Sequence, residues 1–379
     1  MGAVARQCRS QSENSARDLP VQSKLALYYR RLACHGAQSF SEHLLLSVLI
    51  PFGWLYGAVN LLRAGLYRRG YLKSYRSPVP VISVGNLAVG GTGKTPIVDY
   101  LLQRQHNCDR KVAVVSRGYG GEKGAAVRVV CAGDGPLLMA RQCGDEPYLL
   151  ALRNPKVIVI VAPQRAAGIR YAVEHFCVDV VVLDDGYQHL AVQRDLDIML
   201  LDSRYPLGNG YVLPAGLLRE FPCAVDRADL CIMTRCAEFD QIPPDVCADK
   251  EVVCARQTLA DIAYSLAGAS YSLANLRRSR CVVFAGIANP NDFFASLEQM
   301  GVVLQNKLAL PDHCNYSGDI IEQINALACA ADILLTTEKD AVKLDAAMFN
   351  IPCCSMALIF ELQETNLLDQ CVEDLFETS

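Results

Sequence analysis

Six short runs of aliphatic residues constrain the fold of this chain more than any other feature. They are rich in valine, isoleucine and leucine, and segments of helical character separate them. The runs are 79–86, 111–118, 156–162, 178–185, 196–202 and 228–234. Strands that are apolar almost throughout are buried on both faces, so we predict an α/β fold with a mostly parallel sheet and helices on both faces. In such sheets ligands bind at the carboxyl ends of the strands.

The segment that joins the first run to the next helical stretch is rich in glycine. It reads Ala88, Val89, Gly90, Gly91, Thr92, Gly93, Lys94, Thr95. In a P-loop of this kind, backbone N–H groups face the phosphates of a nucleotide, the lysine reaches the β and γ oxygens, and the hydroxyl binds Mg²⁺. Ala88 stands where the strict motif has glycine. The pattern predicts ATP and Mg²⁺ as cofactors rather than a glycine-rich turn without function.

A pair of carboxylates follows the fourth run. Asp184 and Asp185 come at its carboxyl end, where the Mg²⁺ ligand of P-loop enzymes belongs. Two adjacent carboxylates repel each other unless a cation lies near them, which disfavours a purely structural pair. We predict that Thr95 and one or both aspartates bind the metal, and the sequence leaves open which aspartate does so.

A long apolar segment precedes the predicted sheet. The 20 residues between Glu42 and Arg63 include no Asp, Glu, Lys or Arg, and as a helix they would measure about 30 Å, enough to span a bilayer. Pro51, Gly53 and Gly57 count against a simple span because proline and glycine weaken helices. Spanning and interfacial insertion therefore both remain open.

A basic cluster follows this segment, with no acidic residue in it. Its members are Arg63, Arg68, Arg69, Lys73 and Arg76. Such a cluster suits anionic headgroups or phosphates on a lipid, and the rings of Trp54 and Tyr56 are typical of a membrane interface. The alternative is a buried core helix with a solvated basic turn. We predict a membrane-associated helix.

Composition excludes several other classes. A net charge of −4 gives no reason to expect a nucleic-acid partner. The 17 cysteines include no Cys-x-x-Cys pair, so we expect small apolar core residues in a reducing compartment rather than zinc ligands or disulfides. Residues 1–20 lack the apolar region of a secretion signal, so the catalytic part is expected to stay in the cytoplasm.

Less regular sequence follows residue 250, and then three further strand-like runs appear at 281–287, 331–337 and 355–362. They predict a smaller C-terminal α/β lobe. We therefore divide the chain into a polar extension at 1–40, a membrane-associated helix with its basic flank at 41–77, a P-loop kinase domain at 78–250, and a linker with the smaller lobe at 251–379. No obligate protein partner is evident.

Eight motifs, in order, resemble those of the tetraacyldisaccharide 4′-kinase family. They are GNLAVGGTGKTP (85–96), SRGYGG (116–121), GDEP (144–147), DDGYQH (184–189), LPAGLLRE (213–220), FAGIANPNDFF (284–294), PDHCNY (311–316) and TTEKDAVKL (336–344). The resemblance covers about residues 40 to 362. It implies ATP-dependent phosphorylation of the 4′-hydroxyl of a tetraacyldisaccharide 1-phosphate, a lipid A precursor, to give lipid IVA. The expected location is the cytoplasmic side of the Gram-negative inner membrane.

The resemblance also implies that Asp145 and His313 are the catalytic pair that handles the acceptor hydroxyl. The chemistry fits, because the hydroxyl must lose a proton as it attacks, and a carboxylate working with an imidazole can accept it. Without the resemblance, Asp145 reads as a turn former and His313 as a loop or capping residue. Because the two residues fall in different predicted lobes, we expect lobe closure to bring them together and to exclude water.

Four further residues match family positions and are predicted to contact substrate or to support the site: Arg117, Glu146, His189 and Glu220. His189 either orients the aspartate pair or packs behind the sheet. Many family members have a second histidine after the one matched by His313, where this chain has Cys314. This departure favours His313 as the working imidazole.

The sequence disfavours two rival functions. A guanine-nucleotide switch would need an Asn/Thr-Lys-x-Asp base reader, and neither candidate segment, at 306–309 or 337–340, has that spacing. A kinase of a soluble metabolite would have no use for the apolar segment and its basic flank. A membrane-bound lipid kinase accounts for both the P-loop and the apolar segment.

Overall fold

The structure, a computed structural model, describes residues 21–122, 124, 126–238 and 245–377. Residues 1–20 of the predicted polar extension lie outside the described residues. The described chain forms two compact units. The smaller unit contains the residues up to Leu61 together with Leu207–Phe221. The larger unit contains Leu62–Pro206 and the residues from Pro222 onward.

Nine strands of the larger unit follow the predicted runs, and four further strands, at 128–132, 251–265, 270–272 and 304–309, were not predicted. In the first part the strands are β1 (Val81–Asn86), β2 (Val112–Ser116), β3 (Arg128–Ala132), β4 (Ile158–Val161), β5 (Val180–Asp184), β6 (Leu196–Asp202) and β7 (Leu230–Thr234). In the second part they are β8 (Glu251–Ser265), β9 (Ser270–Ser272), β10 (Cys281–Ala285), β11 (Leu304–Ala309), β12 (Ile333–Thr337) and β13 (Cys353–Leu362). All belong to one sheet, in the order β11-β10-β12-β13-β8-β7-β6-β1-β5-β2-β4-β3, with β9 beside β8.

The pairings are parallel except those of β3 with β4 and of β8 with β9 and β13. The described helices are α1 (Val21–His35), α2 (Phe40–Arg68), α3 (Lys94–Asn107), α4 (Ala140–Cys143), α5 (Asp145–Arg153), α6 (Arg165–Phe176), α7 (Leu273–Arg278), α8 (Pro290–Gln299), α9 (Gly318–Leu327), α10 (Glu338–Ala341) and α11 (Thr365–Glu377). Short 3-10 turns lie at Pro222–Arg227, Asp245–Cys247 and Ala346–Met348.

Apolar clusters cover both faces of the sheet, as the aliphatic runs predict. On one face Ile82 of β1 packs in a cluster with Ile97 of α3, and on the other Val81 packs in a cluster with Ile169 of α6. Neighbouring residues of one strand point to opposite faces, so β1 is buried from both sides. Ten of the 16 described cysteines are buried, which agrees with their expected place in the core.

The strand β8 joins the two parts of the sheet. Its first residues, 251–254, pair in parallel with β7, and residues 255–265 pair antiparallel with β13. The predicted boundary near residue 250 therefore falls where this strand begins. The sequence of β8 mixes polar and apolar residues, and its burial follows the same mixed pattern, so it lacks the aliphatic run that marks the other strands.

The apolar segment forms α2. Its start carries a capping box, in which Ser39 Oγ accepts from the N–H of Glu42 at 3.4 Å and Glu42 Oε2 accepts from the N–H of Ser39 at 3.2 Å. The helix continues through Pro51. Gly57 is a contact position within the smaller unit, because a Cβ there would lie 2.5 Å from the ring of Phe221.

Among the described residues, α2 is the one helix long and apolar enough to cross a membrane, and 17% of its most apolar stretch is buried in the protein. A helix in the core of a soluble protein would be mostly buried, whereas the apolar side chains of α2 face outward. The structure therefore places a contiguous apolar surface outside the core.

Candidate active site

The glycine-rich loop lies between β1 and α3. Gly90 and Gly93 have φ angles of 124° and 81°, a left-handed backbone that other residues rarely adopt. A Cβ at Gly93 would also collide with the side-chain amide of Gln257. The backbone conformation at Gly93 therefore favours glycine, and a Cβ there would also displace the Gln257 side chain.

Three strand ends meet this loop. The Lys94 ammonium donates to Asn86 Oδ1 at 3.3 Å and forms an ion pair with Asp185 Oδ1 at 3.3 Å. Thr234, at the end of β7, donates its hydroxyl to the carbonyl of Thr92 at 2.8 Å. The glycine-rich loop therefore lies beside the predicted metal aspartates, at the carboxyl ends of β1, β5 and β7. Ligands of parallel sheets bind at this edge.

Asp184 is buried at the end of β5. Its Oδ2 accepts a hydrogen bond from the Ser116 hydroxyl at 3.0 Å, while its Oδ1 has no hydrogen-bond partner. Burial, followed by the negative charges of Glu146 and Asp185, raises the pKa of Asp184 to about 6. A buried carboxylate oxygen without a donor, among other carboxylates, is an environment that a cation would stabilise.

The predicted metal ligands fit a Mg²⁺ ion that is also coordinated by phosphate oxygens of the nucleotide. Among the described residues, no cluster of three or more His, Cys, Asp and Glu side chains is placed to hold a metal ion. Nucleotide-bound Mg²⁺ normally takes one or two carboxylates, with phosphate and water oxygens completing its six ligands. The unpartnered Asp184 Oδ1 would supply one such ligand. Asp185 and the partly buried Thr95, the second residue of α3, are the other predicted ligands.

The structure brings the predicted catalytic pair into contact. His313 Nδ1 lies 3.1 Å from Asp145 Oδ2, although 168 residues separate them in the chain. Asp145 is buried at the start of α5, and His313 follows β11 with a φ angle of 56°. The N–H of His313 donates to the Gly286 carbonyl at 3.2 Å, which anchors the loop to the end of β10. In this conformation the pair is already assembled, so no closure is needed to form it.

Two lysines that sequence reasoning did not single out complete the site. The Lys343 ammonium lies 3.3 Å from Asp145 Oδ2. The Lys339 ammonium lies 3.4 Å from His313 Nε2 and 3.2 Å from Glu146 Oε1. Both lysines belong to the segment TTEKDAVKL, which carried the family resemblance without any assigned role. Two lysines four residues apart, beginning at the end of a strand, were the available signal.

These contacts determine the charge state of the pair. Burial alone would raise the pKa of Asp145, but the hydrogen bond with His313 and the charge of Lys343 outweigh it and lower the pKa. The bond to Asp145 raises the pKa of His313, against the opposing effects of burial and of Lys339. Asp145 is therefore a carboxylate at neutral pH, as a proton acceptor must be.

The remaining predicted residues occupy different surroundings. Arg117 is exposed after β2 and donates to the Tyr119 hydroxyl at 2.8 Å. Burial and then nearby arginines, Arg165 first, lower the pKa of the half-buried His189 to about 4, so its ring is neutral at neutral pH. Glu220 is buried and belongs to the smaller unit.

Cys314 does not replace the second histidine that many family members carry. It is buried, and burial raises the pKa of its thiol, so it stays neutral and exchanges no proton near neutral pH. Its backbone carbonyl instead accepts a hydrogen bond from Lys343 at 3.2 Å. Cys314 therefore adds no second proton-exchanging group beside His313.

Comparison with known proteins decides the family. The family described as tetraacyldisaccharide-1-P 4′-kinase matches residues 45–377. This chain belongs to the tetraacyldisaccharide-1-P 4′-kinase family. The family resemblance drawn from the eight motifs is thereby confirmed.

Relatives and a solved structure agree with this assignment. The tetraacyldisaccharide 4′-kinase of Syntrophotalea carbinolica is 52% identical over 92% of this chain and 97% of its own length. That of Pelobacter propionicus is 44% identical over 86% of this chain and 90% of its own length. A crystal structure of LpxK from Aquifex aeolicus in complex with ATP matches with a TM-score of 0.73 and 30% identity, covering 88% of this chain and 99% of that one. The predicted P-loop-type α/β fold is confirmed.

Proposed function

We propose that this member of the 4′-kinase family transfers the γ-phosphoryl group of ATP to the 4′-hydroxyl of a tetraacyldisaccharide 1-phosphate, giving lipid IVA. The observation that carries the proposal is the contact between Asp145 and His313 in the same unit as the P-loop. The P-loop by itself would support nucleotide binding and would say nothing about the acceptor. A buried carboxylate aligned by an imidazole adds the group that a hydroxyl acceptor requires.

Each part of the site has a separate task in this reaction. The backbone of the loop and Lys94 hold the phosphates, while Asp145 takes the proton of the attacking hydroxyl and His313 orients that carboxylate. When bound, Mg²⁺ neutralises charge on the β- and γ-phosphoryl oxygens, and Thr95, Asp184 and Asp185 are the residues that would hold it. Phosphoryl transfer has a loose transition state, so positioning matters more than base strength.

The second element of the proposal is that α2 docks the enzyme on the cytoplasmic side of the inner membrane. Trp54, Leu55 and Leu62 are exposed by 63%, 66% and 65%. Among the described residues, no carboxylate lies within ion-pair distance of Arg68, Arg69 or Lys73, all of which are exposed. An apolar surface next to unpaired cations suits a bilayer with anionic headgroups.

The activity test is transfer of labelled γ-phosphate to the tetraacylated disaccharide 1-phosphate, run beside the same disaccharide without its acyl chains. We expect the acylated acceptor to be strongly preferred, and the Asp145→Asn variant to lose roughly 10²-fold or more in rate with both acceptors. Equal transfer to the soluble acceptor would instead support a soluble-sugar kinase. No transfer to either acceptor by the wild type would refute the proposal.

Docking is tested by flotation with vesicles that contain anionic lipid. The double variant Leu55→Glu with Leu62→Glu is expected to lose vesicle binding, because two charges would enter the apolar surface. Leu137→Glu with Val303→Glu is the matched control, since these side chains lie outside α2 and are exposed by 61% and 63%. Equal loss of binding in both double variants would mean that α2 has no special role.

A further inference from the structure

Two lysines contact the two members of the Asp145 and His313 pair from the same short segment. We propose that Lys343 and Lys339 are positioning residues for phosphoryl transfer: together they hold the pair in one proton arrangement, with Asp145 Oδ1 presented to the acceptor hydroxyl. We call this pair of lysines the lysine clamp. The inference rests on the proposed function of Asp145 and His313, and it goes further by stating how their protons are arranged.

The contact of Lys339 determines the tautomer of His313. The bond to Asp145 favours the charged ring of His313, but an ammonium group has donors and no acceptor. A hydrogen bond across the 3.4 Å between the Lys339 ammonium and Nε2 therefore makes Nε2 the accepting nitrogen of a neutral ring. The ring proton then lies on Nδ1 and is donated to Asp145 Oδ2 at 3.1 Å. A proton on Nε2 would face the ammonium directly. His313 therefore orients the carboxylate, and Asp145 receives the substrate proton.

The contact of Lys343 determines which carboxylate oxygen is used. Its ammonium and the His313 ring both bond to Asp145 Oδ2. Asp145 Oδ1 is thus the oxygen that no described residue engages, and it is the one available to an acceptor. A carboxylate with one oxygen fixed by two donors cannot rotate freely, so its second oxygen has a defined direction.

Lys343 is itself held in place. Its ammonium lies 3.5 Å from Asp340 Oδ1 and donates to the Cys314 carbonyl at 3.2 Å, above the ring of Tyr316. Asp340 is fully buried, and its Oδ2 accepts from the N–H of Gly286 at 3.0 Å. This chain of contacts ties the clamp to the end of β10. The ammonium is preorganised, and its position does not depend on bound substrate.

The lysine clamp is neither protonated nor deprotonated during the reaction. The acceptor oxygen forms its bond to the γ-phosphorus as the bond from that phosphorus to the ADP oxygen breaks. The hydroxyl proton passes to Asp145 Oδ1 and then to water. Both lysines remain protonated throughout, so their role is electrostatic and geometric rather than that of an acid or base.

The charged and titratable groups around Asp145 come from three segments. They are Cys143 and Glu146 beside it, Asp312 and His313 from the loop after β11, and Lys339, Asp340 and Lys343 from α10 and the residues after it. Among these, Lys343 is the cation that contacts the carboxylate directly. Its removal should therefore raise the pH at which Asp145 becomes protonated.

The main alternative is that Lys343 merely neutralises the buried Asp340. Three variants separate the two roles: Lys343→Met removes the charge, Lys343→Arg keeps it, and Lys343→Met with Asp340→Asn removes both partners. Each is assayed with the lipid acceptor for kcat/KM as a function of pH, for KM of ATP, and for Tm. A purely structural role predicts that the double variant recovers both stability and the wild-type pH profile.

We expect Lys343→Met to move the acid limb of the kcat/KM profile up by about one pH unit or more, with KM for ATP within about twofold of wild type. Lys343→Arg should shift it much less. The double variant should recover Tm while the acid limb stays displaced. A wild-type profile in Lys343→Met, or recovery of the profile in the double variant, would overturn the inference.

A second measurement reads the tautomer directly, without activity. In wild-type enzyme labelled with ¹⁵N-histidine, the His313 ring should show the proton on Nδ1, and in Lys339→Met it should show a mixture of tautomers or a charged ring. A wild-type ring protonated on Nε2 would contradict the clamp. If Asp145→Asn stays active, the proposed function fails; if Asp145 is essential but Lys343→Met is indistinguishable from wild type, only the clamp fails.

Discussion

The nucleotide loop and the acceptor pair, Asp145 and His313, differ in how the chain builds them. The loop between β1 and α3 uses contiguous residues and backbone conformation, with left-handed glycines at Gly90 and Gly93. The acceptor pair uses two side chains that are 168 residues apart and are held by lysines from a third segment. Phosphates are thus bound by locally encoded geometry, whereas the hydroxyl is handled by an arrangement that exists only once the sheet is complete.

The largest effect is expected at the nucleotide loop. Lys94→Met should lower kcat/KM by roughly 10³-fold or more, because it removes the cation that would lie beside the transferred phosphoryl group. The measurement is labelled phosphate transfer to the lipid acceptor at saturating ATP. Lys156→Met, which changes an exposed lysine after α5, is the control and should behave as wild type. A loss smaller than tenfold in Lys94→Met would show that backbone contacts alone hold the phosphates.

A smaller effect is expected at the acceptor pair. Asp145→Asn and His313→Gln should each lower kcat by roughly 10² to 10⁴-fold, the usual range for loss of proton transfer, with ATP binding preserved. Because the two residues act as one unit, the double variant should be hardly worse than either single one. His175→Gln, at an exposed histidine of α6, serves as the control. Multiplicative losses in the double variant would mean that the residues act independently.

The sequence predicts these two regions unequally. The strand, loop and helix around Lys94 follow each other in the chain, so their contacts follow from local pattern alone. The pairing of Asp145 with His313 required family resemblance, because nothing local distinguishes an aspartate that starts a helix from a turn former. Lys339 and Lys343 were missed since a lysine at a strand end reads as a solvated residue, and their burial against carboxylates depends on how β10, β12 and α5 meet.

The same physical limit explains the strand β8. Buried parallel strands are recognised in a sequence by their aliphatic runs. The parallel strands of the first part of the sheet were predicted to within a few residues. The strand β8 is partly exposed along its length, so its sequence carries no such run. Its continuity from β7 to β13 is a tertiary property, so the sequence predicted a smaller C-terminal α/β lobe and did not predict the strand that joins it to the first part of the sheet.

The third prediction concerns the metal carboxylates and is a stability effect. The folded-state pKa of Asp184 is raised to about 6, above its value in an unfolded chain of about 3.9. Folding therefore favours the protonated form, so this group destabilises the protein above pH 6, and that destabilisation disappears as the pH falls from about 6 towards 4. Asp184→Asn should stabilise the metal-free protein at pH 7.5 by about 2 to 3 kcal/mol.

This prediction is measured by thermal unfolding at several pH values, with and without Mg²⁺ and a nonhydrolysable ATP analogue. The stability gap between Asp184→Asn and wild type should narrow to about half at pH 5 and close near pH 4. The ligands should raise the Tm of wild type more than that of the variant. Asp261→Asn, at an exposed carboxylate, should show no gap. A destabilised Asp184→Asn protein at pH 7.5 would contradict the charge repulsion inferred here.

The smallest effect tests how much of the loop depends on glycine. Ala88 departs from the strict motif, yet its φ angle lies outside the left-handed region, and its carbonyl accepts from the Asn86 amide at 2.6 Å. Ala88→Gly should therefore leave kcat/KM within about threefold and cost stability by roughly 0.4 to 1 kcal/mol, because glycine loses more chain entropy on folding. The reverse change at the other end of the loop, Gly93→Ala, should be far more damaging, since a φ angle of 81° strains an alanine and its Cβ would displace the Gln257 side chain. A gain of activity in Ala88→Gly would mean that the alanine compromises phosphate binding, and the local encoding of the loop would then be less complete than its geometry indicates.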